Sequence, residues 1–512
     1  MAPVIVHCTC NCPLHLNASL RRCVVYGASE KTVPAAEGNH LTRWTSARKV
    51  DFENLHTDER IYSELELCGE TQRCCSLVKV HKILLRMSKL PGNAGVSVLG
   101  DKSLEFYRDP ISFCRQRMEK HGSRLFLCRM LNRPTVFICS VRGVRELLCE
   151  KSSVFVKDPT DLMTNVYGDT LVTTNGEEAC LLRLSLTSLL TGSSLESCSG
   201  SISSMCERHL KDLSGRPQCV YSVFKRLGTE LVLGLFLNVR AEEQPELYQE
   251  IVNLCTQHWH GLISAPLNVK SPLWSSGFST ALEARDKLMD IIKNKLQSDK
   301  QGFVGALGSL PLPDSSCAPQ HLLLFISALI PKALASLLTS FSLVLAGDEQ
   351  ARGRAAHDPE YLHGVLMEVQ RLWPPFIGGR RLADQDSTIA GFKVPKGHGA
   401  IYVSHAVHRD PDVFQQPDSF LPERWSGRNA GQESLLCSFG GGPRSCIGFK
   451  LTNVFLKEAF SYLLQHYHWR LDPPSQDLEY KWLPVSRPAD PPTISFSRLD
   501  QTGSDGSGAG VL

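Results

Sequence analysis

Cys437-Ser-Phe-Gly-Gly-Gly-Pro-Arg-Ser-Cys-Ile-Gly-Phe-Lys450 is the stretch on which the reading of this chain turns. Its glycines let backbone approach a flat ligand closely, and Pro443 stiffens the loop. Beyond Cys446, apolar residues recur at helical spacing (Ile447, Leu451, Val454, Phe455, Ala459), so the cysteine stands where a helix begins. Backbone N–H groups at a helix start favour thiolate over thiol, as does a nearby cation. A thiolate in a glycine-lined loop is suited to ligating the metal of a planar cofactor. A single cysteine in a Gly-rich turn is otherwise a buried, inert thiol.

Composition narrows the classes around that loop. The chain has 512 residues, 42% hydrophobic and 21% charged, enough to bury a large core and a cavity within it. Lys plus Arg exceeds Asp plus Glu by only 55 against 52, which is no footprint for nucleic acid. The 19 cysteines are scattered rather than framed, and the first twenty residues lack a continuous apolar run, so reduced thiols facing a cytosol-like compartment are expected. Cys8-x-Cys10-x-Cys12 lacks a second ligand pair at zinc-finger spacing.

Three regions follow from patterning: an atypical N-terminal extension without a recognisable anchor (1–89), an organised body (90–498) opening at Leu90-Pro91-Gly92, and a Gly/Ser-rich disordered tail (499–512). In the body, β-like runs such as Arg133 to Cys139 alternate with helical stretches such as Val141 to Leu148 and Leu282 to Leu296. Leu322 to Ala346 is apolar enough to tempt a transmembrane reading. Pro331 and Lys332 near its middle favour a helix buried in a large core.

Phe439-x-x-Gly442-x-Arg444-x-Cys446-x-Gly448 matches the cysteine loop of the cytochrome P450 superfamily at all five positions. At residue frequencies of about 5–7%, such a match arises by chance in about one chain per few thousand. Glu368-Val-Gln-Arg371 resembles the family's Glu-x-x-Arg helix motif, and Pro422-Glu-Arg424-Trp its Pro-x-Arg segment; i and i+3 share a helix face, so Glu368 and Arg371 can pair and receive Arg424 as a third, structural member. Leu90-Pro-Gly, Arg371 to Arg381 and Gly391 to Gly397 look most like the animal retinoic-acid hydroxylase branch.

The resemblance implies a mainly α fold with smaller β-sheets and haem b buried between a long central helix and the cysteine-loop helix. Cys446 would be the axial iron ligand, Phe439, Gly442 and Gly448 would shape the cradle, and Arg183, Arg381 and Arg444 would face the haem propionates. It implies a monooxygenase acting on a lipophilic small molecule such as a retinoid, sterol or fatty acid, with an NADPH-dependent reductase as partner. It further implies a place at the cytosolic face of the endoplasmic reticulum membrane. A peroxide-rearranging haem-thiolate isomerase, or a haem-binding paralogue with little turnover, are the alternatives.

Three departures stand out. Ala179 occupies the position, one turn before Arg183, where the family carries an aromatic residue or histidine. Lys332 and Ala333 fall where the central helix carries an acid and a threonine; anchoring on Leu322 to Phe325 instead puts Leu329 and Ile330 there. A short charged link, Gly347 to Pro359, stands where the family fits at least one more helix.

Overall fold

The computed structural model describes residues 89–158, 162–262, 276–314, 316–327, 330–427 and 432–499, and two earlier strands. The chain divides into two compact units, Met1–Arg86 and Met87–Leu512. In the first, β1 (Cys23–Tyr26) pairs antiparallel with β2 (Ala47–Val50). The rest of the N-terminal extension to residue 88, and the tail from residue 500, lie outside the described residues.

The second unit begins with α1 (Ser103–Arg108), α2 (Pro110–His121), β3 (Leu125–Met130), β4 (Arg133–Ile138), α3 (Val141–Arg145) and β5 (Phe155–Val156). A helical tract follows: α4 (Leu162–Tyr167), α5 (Gly176–Ser188), α6 (Gly192–Leu210), the short β6 (Gln218–Cys219), α7 (Val220–Leu237), α8 (Pro245–Leu262), α9 (Gly277–Ser298) and α10 (Gly302–Gly308). Next come α11 (Cys317–Ser327), α12 (Ile330–Ala346), α13 (Glu349–His357) and α14 (Pro359–Leu372). The chain then runs through β7 (Gly378–Ala383), β8 (Ser387–Ile389), β9 (Phe392–Val394), β10 (Gly399–Val403) and α15 (Ser404–Val407) to α16 (Phe449–His466). Strands β11 (Tyr467–Leu471), β12 (Tyr480–Lys481), β13 (Arg487–Pro488) and β14 (Thr493–Arg498) finish it.

The Arg133 run forms the second strand of a five-stranded sheet ordered β3-β4-β10-β7-β5. Leu131 and Asn132 both take positive φ (48° and 56°), the backbone a tight hairpin between β3 and β4 needs. Phe126 and Phe137 stack across that hairpin at 5.1 Å, and β10 pairs parallel to β4 on its other side. The third neighbour, β7, carries Arg381, so the sheet fixes where that guanidinium sits.

Helices α11 and α12 form the centre of the main core, and 81% of their most apolar window is buried. Pro331 is the second described residue of α12. Phe341 stacks on Phe460 of α16 at a centroid distance of 3.5 Å, joining the central helix to the helix of the cysteine loop.

The link expected to be merely short and charged is itself helical. Asp348 caps α13 by accepting from Ala351 N–H at 2.8 Å, with Glu349 in the first turn and Arg354 and His357 in the last, matching the helix dipole. Arg352 turns inward, donating from Nη1 to the Leu345 and Trp469 carbonyls at 3.0 and 2.8 Å. Asp358 then caps α14, whose first residue is Pro359. Charge had marked the caps of a nine-residue helix rather than a loop.

Helix α14 lies against the segment around Pro422 with no room between them. A Cβ on Gly364 would stand 2.5 Å from the Pro422 carbonyl oxygen. Gly364→Ala is therefore expected to destabilise the fold by about 1–3 kcal/mol, as overpacking does. Chemical denaturation checks this; a variant as stable as the parent would refute the close approach.

Candidate functional site

The cysteine loop closes on itself before α16 begins. Cys446 N–H donates to the Phe439 carbonyl at 2.8 Å, and Gly440 N–H to the Cys437 carbonyl at 2.9 Å. Gly440 and Gly442 both hold positive φ (74° and 60°), and a side chain at Gly442 would collide with the Leu148 carbonyl. Phe439 meets Phe449 edge to face at 5.0 Å, pinning the loop to the first turn of α16. Gly448 caps that helix, so Cys446 sits two residues before its cap.

The electrostatics of Cys446 differ from expectation. The Gly448 backbone and the Arg183 guanidinium do pull toward thiolate, but burial outweighs them and the thiol pKa is raised. The residue is nevertheless exposed, so Cys446 is reachable by a ligand while poorly hydrated. A metal cation placed against it would reverse the balance, because a coordinating thiol loses its proton outright.

Three arginines converge beside that thiol from separate elements. Arg183 of α5 donates from Nη2 to the Ser445 carbonyl, next to Cys446. Arg444 donates from Nη2 to Thr174 O and Asn175 Oδ1, both at 2.8 Å, while its buried Nη1 has no partner. Arg381 is 5% exposed and donates from Nη1 only to the neighbouring Arg380 carbonyl, at 2.8 Å. Burial lowers the pKa of all three; Arg381 further depresses Arg183, and Arg381 and Arg183 depress Arg444. Among the described residues, none of the three has a carboxylate within 4.0 Å. Three cations without a described carboxylate partner, an open N–H, an accessible thiol and a glycine cradle fit a flat dianionic cofactor with a metal at its centre. Ala179, buried one turn before Arg183, adds no polar group.

Behind the loop stands the cluster of Glu368, Arg371 and Arg424. Arg371 grips Glu368 with two bonds, Nε to Oε2 at 2.8 Å and Nη2 to Oε1 at 2.7 Å, and both side chains are fully buried. Its other three donors reach the carbonyls of His408, Pro417 and Ser419. All five guanidinium hydrogens are thus used. Glu368 also accepts from Leu421 N–H, Arg424 Nε (3.4 Å) and Trp425 Nε1 (3.0 Å).

His408 is the residue that motif reading missed. Its Nε2 accepts from Cys437 N–H at 2.9 Å, so Nδ1 carries the proton and donates to the Arg371 carbonyl at 3.0 Å. The neutral imidazole bridges the Glu368 cluster to the first residue of the cysteine loop. Burial pushes its pKa down to about 3. Only its place in His408-Arg-Asp-Pro411, between the two motifs, hinted at such a role. Cys437 is buried with its thiol pushed up to about 12.

Lys332 lies with Nζ 4.5 Å from the Trp259 ring centroid, and burial with two neighbouring cations lowers its pKa to about 7. Ala333 beside it is partly buried. Leu329 of the alternative alignment lies outside the described residues, and Ile330 is the first described residue of α12. Thr339 is fully buried, and its Oγ1 has no partner among the described residues.

Two expectations follow from the cluster. Glu368→Ala strands the buried Arg371 guanidinium and removes a partner of Arg424, at a cost of about 3–5 kcal/mol, and should yield little haem-loaded protein by absorbance ratio. A variant that loads haem normally and loses only turnover would contradict this. For His408, the folded pKa lies below the ordinary 6.5, so as pH falls the unfolded chain binds the proton first. This share of stability is whole above pH 6.5 and is lost by about 1.4 kcal/mol per unit down toward about pH 3. His408→Gln should flatten the stability–pH slope by about one proton in that window. An unchanged slope would place the titration elsewhere.

Comparison with known proteins places this geometry in a family. The Cytochrome P450 family model matches residues 321–496, which include α12, the Glu368 cluster and the cysteine loop. Cytochrome P450 26A1 of Danio rerio is 25% identical over 424 residues, covering 74% of this chain and 85% of that protein. Beta-amyrin 28-monooxygenase of Kalopanax septemlobus is 23% identical over 444 residues, covering 77% and 89%. The solved structure of a retinoic acid-bound cyanobacterial CYP120A1 superposes with a TM-score of 0.70 at 26% identity, covering 80% of this chain and 99% of that one. With a mainly helical fold, a Cytochrome P450 family match over residues 321–496 and a TM-score of 0.70 to that solved structure, this chain is similar to the cytochrome P450 superfamily of haem b monooxygenases.

Proposed function

We propose that this protein hydroxylates a lipophilic small molecule, of retinoid, sterol-like or fatty-acid character, with electrons delivered from NADPH by a partner reductase. The observation that carries the reading is the convergence of Cys446 with Arg183, Arg381 and Arg444, whose charges no described carboxylate offsets. The names of its relatives support the substrate class: one neighbour was solved with retinoic acid, and another acts on beta-amyrin. The same resemblance supports a position at the cytosolic face of the endoplasmic reticulum membrane.

A haem held through the Cys446 sulfur would supply electron density that favours O–O cleavage. The chain's own residues set the conditions for it. Cys446 would hold the iron as thiolate, the form that the Gly448 backbone and Arg183 favour. Gly442 and Gly448 keep side chains out of the ligand's path, with Phe439 braced on Phe449. The arginines, Arg444 Nη1 foremost, hold the propionate carboxylates by charge-assisted bonds. Glu368, Arg371, Arg424 and His408 fix the loop from behind.

The peroxide-rearranging reading draws on one observation. Ala333 cannot pass a proton, and Lys332 beside it has a pKa lowered to about 7 by burial and two neighbouring cations. An enzyme that rearranges a peroxide needs no proton delivery to dioxygen, so turnover of a lipid hydroperoxide without reductase would favour this second reading.

The ligand assignment has a direct check. Cys446→Ala should abolish the thiolate-type Soret band in the carbon-monoxide difference spectrum of the reduced protein, whereas Cys437→Ala should keep it. A thiolate-type band surviving in Cys446→Ala would refute the assignment.

A further inference from the structure

The guanidinium of Arg444 is held from one side only. Its Nη2 donates to the Thr174 carbonyl and to Asn175 Oδ1, both at 2.8 Å, which leaves the buried Nη1 without a partner among the described residues. Asn175 is the N-cap of α5, yet its side chain does not cap that helix. It accepts from Lys157 N–H at 2.9 Å and donates to the Lys157 carbonyl at 3.1 Å, so its Oδ1 serves Lys157 and Arg444 in place of the helix end.

The turn leading to these acceptors is knotted by threonines and fastened by a histidine. Thr170 N–H donates to Thr173 Oγ1 at 2.8 Å, and the Thr170 carbonyl accepts from Thr174 N–H and Thr174 Oγ1, both at 2.9 Å. Gly168 (φ 76°) lies directly on α11, where a Cβ would stand 2.5 Å from Gln320 Nε2. Next to Gln320, His321 Nε2 accepts from Leu171 N–H at 3.0 Å. A backbone N–H can only donate, so the ring proton is on Nδ1, which donates to the Cys317 carbonyl at 2.6 Å. His321 is fully buried, and burial keeps its pKa below the ordinary value. The neutral imidazole is thus a fixed joint between helix and turn, with neither ring nitrogen free for a ligand.

We propose that His321 is a positioning residue for the cofactor: by holding Leu171 it fixes the turn 168–175, and through Thr174 and Asn175 it keeps Arg444 Nη1 in place for a propionate. This rests on the assignment of Arg444 to a propionate. An arginine side chain loses much rotamer freedom when a ligand immobilises it, and a side chain already held loses less. Without the imidazole, the Leu171 N–H would be buried and unpaired, and the turn would have to shift to satisfy it.

The test is haem loss from the loaded protein to excess apomyoglobin, followed at the Soret band. His321→Leu removes the acceptor for Leu171. His321→Asn falls short of Leu171 while still able to donate to Cys317, and it is the reporter if His321→Leu fails to fold. Each should release haem about tenfold faster than the parent, the worth of one misplaced hydrogen bond to a charged group. His321→Gln, long enough to offer an oxygen to Leu171, should restore retention. Arg444→Gln should itself release haem about tenfold faster, and in that background the His321 substitutions should add no more than about twofold, because residues acting through one another are not additive. An equal effect of His321→Asn with or without Arg444 would make His321 a stabiliser of the core alone and overturn the inference. So would parent-like retention in His321→Asn, or a His321→Gln as leaky as His321→Asn. If Arg444→Gln retains haem as the parent does, the propionate assignment falls and the positioning role with it, while the iron ligand, read from the carbon-monoxide spectrum, is untouched.

Discussion

A single buried ion pair, Glu368 with Arg371, holds together the half of the molecule where the chemistry sits. Taking two charges out of water is costly, and the cost is recovered only when every remaining donor and lone pair is satisfied. Here Arg371 spends all five hydrogens and Glu368 accepts five bonds, so the pair works as an organiser of backbone. It fixes the carbonyls of His408, Pro417 and Ser419 and the N–H of Leu421, which come from a segment with little regular structure of its own. Gly364 lets that segment lie directly on α14.

From this pair, order passes to the cysteine loop through one neutral imidazole. His408 receives its orientation from the Arg371 carbonyl and imposes it on Cys437. Ser438 Oγ adds a second tie, donating to the Gln370 carbonyl at 2.9 Å. A loop rich in glycine would otherwise lose much conformational freedom on folding. Anchored at Cys437, closed between Phe439 and Cys446 and continued into α16, it presents the Cys446 thiol at a defined place. The three arginines then surround that thiol with positive charge from α5, β7 and the loop itself.

Much of this was legible because it rests on local spacing. A helical i, i+3 pair, a glycine-bounded cysteine and the apolar period of α16 are each encoded within a few residues, and Glu368, Arg371 and Cys446 stand where those patterns put them. Long-range partners left no such trace. His408 acts through contacts 29 and 37 residues away in sequence, which local spacing does not encode. Charge was misread between Gly347 and Pro359 because caps and dipole partners look like loop residues in composition. The state of Cys446 was misjudged for a similar reason: the local helix start was visible, but the burial that outweighs it comes from the whole fold.

The central claim is that the cysteine loop holds iron through the sulfur of Cys446. Resonance Raman spectroscopy of the ferric, haem-loaded protein tests it most directly, using protein grown on heavy-sulfur cysteine. The account predicts an iron–sulfur stretching band that moves to lower frequency with the heavier isotope. A spectrum without an isotope-sensitive band, or one with the signature of histidine ligation, would contradict it.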